Sequence, residues 1–579
     1  MTTYSIFGAG PAGIYVAWRL ASSGQLTSGD SIDLYEWGNY SLTPGDGGTR
    51  RPAGRICSHH YQGDPSSSYV EVGGMRFLQW DPTTSSGHQL VSLAIDALGL
   101  SGDVVPFLTT DDPLLYLRGQ NLYQGQISGS VAAPYNTDAA QLPADDLFSS
   151  ISKLLTGEAK LASRAEQCAF YESGVLPDST NSFVYDAGDP AANIGYWNFF
   201  YDQAGNEGYN YAADAGGYSS NVINWNAANA AVYNGEFAPG GAFKTLKTGY
   251  SHLFATMLDA ARQEAQAREI ELQAVTNTRL HSIWSVDGRP TFRLASAEDP
   301  DSGGTPASTD VAFLAMPPNS VELVAQATRS NDLAGSIDFL NNAEVRNYLE
   351  SVIEQPSLKV AMFFDQPWWE TAAYPPKLAT NTFGPTITDL PLRQIYYFGN
   401  NASGPDNRPI YGLLASYDDM RFVNFWRELD ISVFERRTKA QSTNTQPLIG
   451  AATATATMER MVLLELAKVH FNDPDAAGSI PTPLETVVMD WGLNPFGAGY
   501  HAWAAHYDIC DVMQRIRTPA EMAGADNNVF LVGSAFSNDQ AWVEGAFCTA
   551  ESVLTEYLGL TPFGDTTNYP LICGKRSQT

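Results

Sequence analysis

Three glycines near the start of the chain, Gly8, Gly10 and Gly13, stand at GxGxxG spacing, and an acid, Glu36, closes the next apolar stretch. That pattern suits dinucleotide binding. The first glycine permits a tight turn, the second lets the backbone approach a pyrophosphate, and the third allows close helix–strand packing. A helix opening at such a turn faces phosphates with unpaired N–H groups and the positive end of its dipole. Glu36 stands where an acid grips ribose hydroxyls. Two cations promise further chemistry. Arg76 ends the small, apolar run Gly73-Gly74-Met75, where a planar guanidinium suits a buried carboxylate. Lys359 interrupts the apolar run Leu358 to Phe364, a costly place for an ammonium without a task.

Those residues need elements to hold them. Tyr4-Ser5-Ile6-Phe7 and Ser31-Ile32-Asp33-Leu34-Tyr35 read as strands around a helix over 14–22, a βαβ unit. Apolar periodicity predicts helices over 85–100, 243–268 and 542–558. It predicts strands over 270–275, 311–316, 358–364, 394–398, 410–416 and 529–532. Residues 140–235 carry helical stretches and no strand ladder. The order suggests one sheet assembled from separated stretches. The expected fold class is α/β (α+β overall), with three units. A Rossmann-like dinucleotide-binding domain is discontinuous, from 1–58, 244–325 and 480–565. A mixed-sheet substrate-binding domain takes 59–140 and 326–479. A mainly helical insertion takes 141–243.

The 579 residues are 44% hydrophobic, ample for large cores, and the formal charge of −30 argues against nucleic acid and anionic membrane surfaces as partners. Five cysteines, odd in number and without a CxxC pair, disfavour a disulfide framework and a zinc site. His59 and His60 are adjacent, so a strand points them to opposite faces and a metal pair is not expected. Cys57 reads as a buried inert thiol rather than a cofactor tether. With no signal-like start and no long apolar run, a cytoplasmic, non-membrane enzyme is expected, as a homodimer or higher homo-oligomer.

Several ordered patches resemble the flavin-dependent amine oxidase family, and within it the bacterial-type L-amino acid oxidases. The likeness covers most of the chain and is weakest between about 100 and 230. Beside the fingerprint, it is carried by Gly54-Arg55, by Glu71-Val72-Gly73-Gly74-Met75-Arg76 and by Trp491 ahead of Asn494-Pro495-Phe496-Gly497. Near the end, Asn528 to Gly533 followed by Gln540-Ala541-Trp542-Val543-Glu544 is similar to the family's closing strand, turn and helix. The resemblance implies FAD as cofactor. It would lie against Gly8, Gly10, Pro11, Ala12, Gly13, Glu36 and Trp37. Further along it would meet Gly54, Arg55, Gly74, Met75, Arg76 and Val275, and then Trp491, Gly533, Ser534, Trp542 and Val543.

The same resemblance gives Arg76, Lys359 and Trp542 to the reaction. Arg76, with Tyr417, would bind a substrate carboxylate. Lys359 would hold a water near flavin N5, and Ala541, Trp542 and Phe237 would wall the substrate. It implies oxidation of an L-amino acid by O2, giving a 2-oxo acid, ammonia and hydrogen peroxide. A flavin amino-acid monooxygenase and a monoamine or polyamine oxidase share the architecture. Three positions depart from the family pattern. Ser534 stands where a glutamate is usual, with a hydroxyl or Asp539 as substitute. Tyr233 replaces a histidine base, and the carboxylate tyrosine falls at Ser416 or Tyr417. The side-chain pocket stays open between aromatic walls (Trp225, Tyr233, Phe237) and acids (Glu236, Asp418, Asp419).

Overall fold

The computed structural model describes residues 1–38, 42, 53–218, 225–236, 243–296, 299–331, 333–402, 408–430, 450–526 and 528–574. Phe237 lies outside them. The fingerprint strands sit in a five-stranded sheet in the order Glu271–Val275, Ser31–Tyr35, Thr3–Phe7, Val311–Leu314, Val529–Leu531. Every pairing is parallel. A parallel sheet is covered on both faces, which explains why Ile6, Ile32, Leu34, Phe313 and Phe530 are buried. The helix Pro11–Ser22 packs on Ser251–Ala267 and on Val543–Glu556, joining the beginning, middle and end of the chain.

A second sheet has eight strands and mixed pairing. Its centre is Ser357–Phe364, flanked antiparallel by Tyr411–Asp419 and Glu485–Asp490. All eight residues of that central strand are buried, so its continuous apolar run is a two-sided core and Lys359 lies inside it. The helices Ala144–Thr156, Tyr196–Ala215 and Ala227–Glu236 form the third unit, around buried Phe148, Phe199, Tyr211 and Trp225, and Arg164–Ser173 packs against Ala227–Glu236. No helix among the described residues is long and apolar enough to cross a membrane.

Several expectations need correction. The expected boundary at 480 falls too early: Glu485–Asp490 belongs to the eight-stranded sheet, and Tyr500–Trp503 pairs with Val352–Gln355. The helix expected over 243–268 begins only at Ser251, because Phe243–Leu246 is a strand paired with Phe77–Leu78 and Val104–Pro106. Gly249, at φ +95°, makes the turn between the two. The antiparallel pair Thr278–Val286 and Arg289–Ser296 and the helices Pro318–Ser330 and Ala456–Phe471 had no counterpart in the sequence reading. The cysteines also depart from expectation. Cys168 and Cys573 form a disulfide across 405 residues, while Cys57, Cys510 and Cys548 stay free and buried.

Candidate active site between the two sheets

The glycine turn divides its labour. At Gly8 (φ +114°) a Cβ would stand 2.3 Å from the Ala315 carbonyl oxygen, and at Gly13 it would stand 1.9 Å from that of Gly8. Gly13 is thus a packing residue, and it does not border the cavity. Gly10 faces Gly54 across a narrow cleft, where a Cβ on Gly10 would meet only the Gly54 Cα, at 3.8 Å. Pro11 opens the helix, with no side chain capping it, so the first-turn N–H groups point into the cleft. Strand register delivers Glu36 beside them. Its N–H donates to the Val275 carbonyl at 2.8 Å, and its carboxylate accepts from Ala9 N–H (2.8 Å) and Gly38 N–H (2.7 Å). Val275 therefore holds the strand end rather than lining the cavity. Thr278, Arg279 and Leu280 line it instead.

One continuous cavity of about 230 Å³ runs from this cleft to the eight-stranded sheet. Trp37, under the Arg279 guanidinium at 4.6 Å, borders the first half. Arg55, Gly74, Met75 and Trp491 border the middle. Arg55 donates to the Gly499 carbonyl at 3.0 Å, and burial lowers its pKa to about 10. Trp491 is fixed by donating to the Val72 carbonyl at 2.7 Å.

At the far side, Gly533, Ser534, Ala541, Trp542 and Val543 line the wall. The helix Val543–Glu556 starts there with Trp542 at its N-cap and no side-chain cap, so its positive end faces the cavity. Ala541 holds φ +71°, an uncommon conformation for a residue with a Cβ, of the kind that collects at functional sites. Asp539, expected as a substitute acid at Ser534, is elsewhere. It pairs with Arg164 at 2.5 Å and does not border the main cavity.

The two singled-out cations converge. Arg76 is buried, with Phe243 4.2 Å under its guanidinium and Tyr218, Tyr233, Tyr396 and Tyr417 around it. Lys359 is buried and donates to the Gly73 carbonyl at 2.6 Å; burial lowers its pKa to about 7 against the pull of Glu71. Tyr417 faces the cavity, and the Ser416 hydroxyl turns away to donate to the Leu392 carbonyl at 3.1 Å. Of the open pocket acids, Asp419 accepts from the Tyr500 hydroxyl at 3.2 Å and Asp418 is fully buried. Cys57 borders no part of this cavity, and burial raises its thiol to about 12. His59 meets Glu485 at 3.1 Å, and His60 meets the Ser67 carbonyl.

Sequence reasoning missed Tyr218, Tyr396, Phe243, Arg279 and Tyr500. Each reaches the site through a pairing or a loop that local pattern does not announce.

No family model matches the chain. The fold is that of the flavin-dependent amine oxidases, the family whose motifs the sequence resembles. Wild-type putrescine oxidase bound to putrescine superposes with a TM-score of 0.58 at 13% identity, over 96% of this chain and 98% of that one. By sequence, the chain is 25% identical over 584 residues to Aplysianin-A of Aplysia kurodai, spanning 96% of this chain and 89% of that protein. Over a shorter stretch, 37% of this chain and 30% of the relative, it is 28% identical to L-amino-acid oxidase 4 of Hebeloma cylindrosporum.

Proposed function

We propose that the chain is an FAD-dependent oxidase of L-amino acids. When bound, FAD supplies the acceptor for the hydride of the substrate Cα at its N5 and passes the electron pair to O2, giving hydrogen peroxide. The imino acid released takes up water to form a 2-oxo acid and ammonia. The Gly10–Gly54 cleft and the open end of the helix Pro11–Ser22 would hold the pyrophosphate, and Glu36 the adenosine ribose. The open end of Val543–Glu556 would meet the pyrimidine edge, where negative charge grows on reduction.

The observation that carries the substrate class is Arg76. A buried guanidinium on the cavity wall presents a planar fork that matches a carboxylate, and Tyr417 adds a hydroxyl on the same wall. Trp542, stacked on Phe243 with centroids 6.0 Å apart, closes the wall around Cα and keeps water out. Lys359 places a positive charge and a donor where oxygen is reduced. The likeness to a putrescine-bound oxidase supports a second reading, an amine oxidase with no need of a carboxylate.

Anaerobic bleaching of the flavin absorbance, screened over L- and D-amino acids and their decarboxylated amines, separates the two. Bleaching by L-amino acids alone is the expected result, and bleaching by amines alone would sink the amino-acid reading. The Cys168–Cys573 bridge supports an oxidising compartment, in place of the cytoplasmic setting expected from the sequence.

A further inference from the structure

Behind Ala541 a second, much smaller cavity of about 10 Å³ lies between the helical unit and the turn ahead of the closing helix. Tyr233, Tyr500 and Ala541 border both this chamber and the main cavity, so they are the partition between the two. Its other walls bring together polar groups with nothing to bond. Among the described residues, Trp225 Nε1, both ring nitrogens of His501 and Gln540 Oε1 are buried without a hydrogen-bond partner. Leaving such groups unpaired in a buried site is costly. The set is complementary: Trp225 only donates, Gln540 Oε1 only accepts, and a neutral imidazole does one of each. A single water satisfies Trp225, Gln540 and one ring nitrogen of His501, and about 10–15 Å³ is room for one.

We propose that the chamber holds one water bonded to Trp225, His501 and Gln540, and that through it, with the Tyr233 hydroxyl of the partition as relay, His501 accepts the proton the substrate ammonium must lose before hydride leaves Cα. The proton role rests on the amino-acid oxidase reading; the water site does not. The step moves one proton and no electrons. The ammonium becomes a neutral amine, the imidazole becomes imidazolium, and the proton later returns to solvent.

The charges around it fit. Arg76 and Lys359, both on the main cavity wall, depress the ammonium by like charge. Burial and the nearby Arg55 hold the His501 ring neutral, with a lone pair for a proton, while weakening it as a base. The other ionisable groups facing it are Asp539, neutralised by Arg164, the tyrosines of the partition, and Glu354 across the strand pair. A pyrophosphate beside Arg55 would offset that cation and raise the basicity of the ring.

Two measurements test this. A crystal structure of the FAD-loaded protein should show one ordered water within hydrogen-bonding distance of Trp225, His501 and Gln540. A dry chamber, or the three groups bonded to one another, overturns the site. Anaerobic stopped-flow reduction, followed against pH, should find His501→Asn about 10²-fold slower than wild type near pH 7. The two should converge near pH 10, where the free amine arrives neutral. A uniform loss at every pH means a structural role and overturns the proposal, as does no loss. A wild-type flavin that no amino acid reduces defeats the proton role together with the function; fast wild-type reduction with an unaltered variant defeats the proton role alone. Should His501→Asn fail to fold, Trp225→Phe removes the N–H donor together with part of the indole, and should give a smaller deficit with the same pH dependence.

Discussion

The Lys359 ammonium stands 4.1 Å over the ring of Tyr417 while donating to the Gly73 carbonyl. It is thus pinned between a cavity wall residue and the backbone of the loop that carries Arg76. With its pKa lowered to about 7 by burial, this lysine is charged below that pH and neutral above it. Oxygen reduction in the site should therefore slow as pH rises through about 7. Lys359→Met should leave flavin reduction by the amino acid within about tenfold but cut reoxidation by O2 about 10²-fold, the scale of one lost electrostatic contact. Mixing reduced enzyme with O2 in a stopped-flow instrument reads this directly, and an unaltered reoxidation rate would remove Lys359 from the oxygen step.

Arg76→Lys keeps the charge and loses the fork. Binding of benzoate and of amino-acid substrates should weaken about 10²-fold, or about 2.7 kcal/mol, because two parallel donors become one. Amines without a carboxylate should bind as before. Equal weakening of both ligand types would show that the substitution only loosens the cavity.

The Cys168–Cys573 bridge ties the helix Arg164–Ser173 to the C-terminal segment, and Cys573 Sγ lies 2.7 Å from Asn538 Oδ1 in the turn before the closing helix. Closing so long a loop restricts the unfolded chain, and loss of such a bridge costs about 2–5 kcal/mol. Cys573→Ala should lower Tm by several degrees in calorimetry, and reductant should do the same to the wild type but nothing more to the variant.

His470 is fully buried, sharing hydrogen bonds with the Tyr397 hydroxyl and the Tyr374 carbonyl, and burial pulls its pKa from 6.5 to about 4. Between those values the unfolded chain holds a proton that the folded chain does not. Stability is therefore full above pH 6.5 and falls as pH drops towards about 4, by up to about 1.4 kcal/mol per unit. In urea titrations His470→Gln should flatten that part of the pH curve; an unchanged slope would place the acid sensitivity elsewhere.

Much of the nucleotide half was legible because its elements are local. Gly8 to Glu36 is a contiguous βαβ unit, and glycine spacing, apolar strands and a terminal acid all lie within one short window. Arg76 and Lys359 stood out because a charge in an apolar run is costly wherever it lies. Of the tyrosines around Arg76, Tyr218 and Tyr396 gave no such signal. Tyr396 and Tyr417 come from neighbouring strands whose register is set by long-range pairing, and Tyr218 arrives from the helical unit. Cys168 and Cys573 illustrate the same limit, since nothing local to either marks the other. The boundary expected at 480 failed because Glu485–Asp490 is apolar enough to suit either sheet.

The five-stranded sheet also sets a timetable. Its central strand, Thr3–Phe7, leaves the ribosome long before its edge strand, Val529–Leu531, is made. At about 5–20 residues per second, roughly 25–105 s separate the two. For roughly 11–43 s of that interval, the time taken to make the residues between Leu314 and Val529, the apolar edge at Val311–Leu314 waits without its final neighbour. Newborn chains are then exposed to aggregation for longer than a domain of contiguous sequence would be, and shielding by chaperones during synthesis should limit the yield of active protein more than the intrinsic folding rate does.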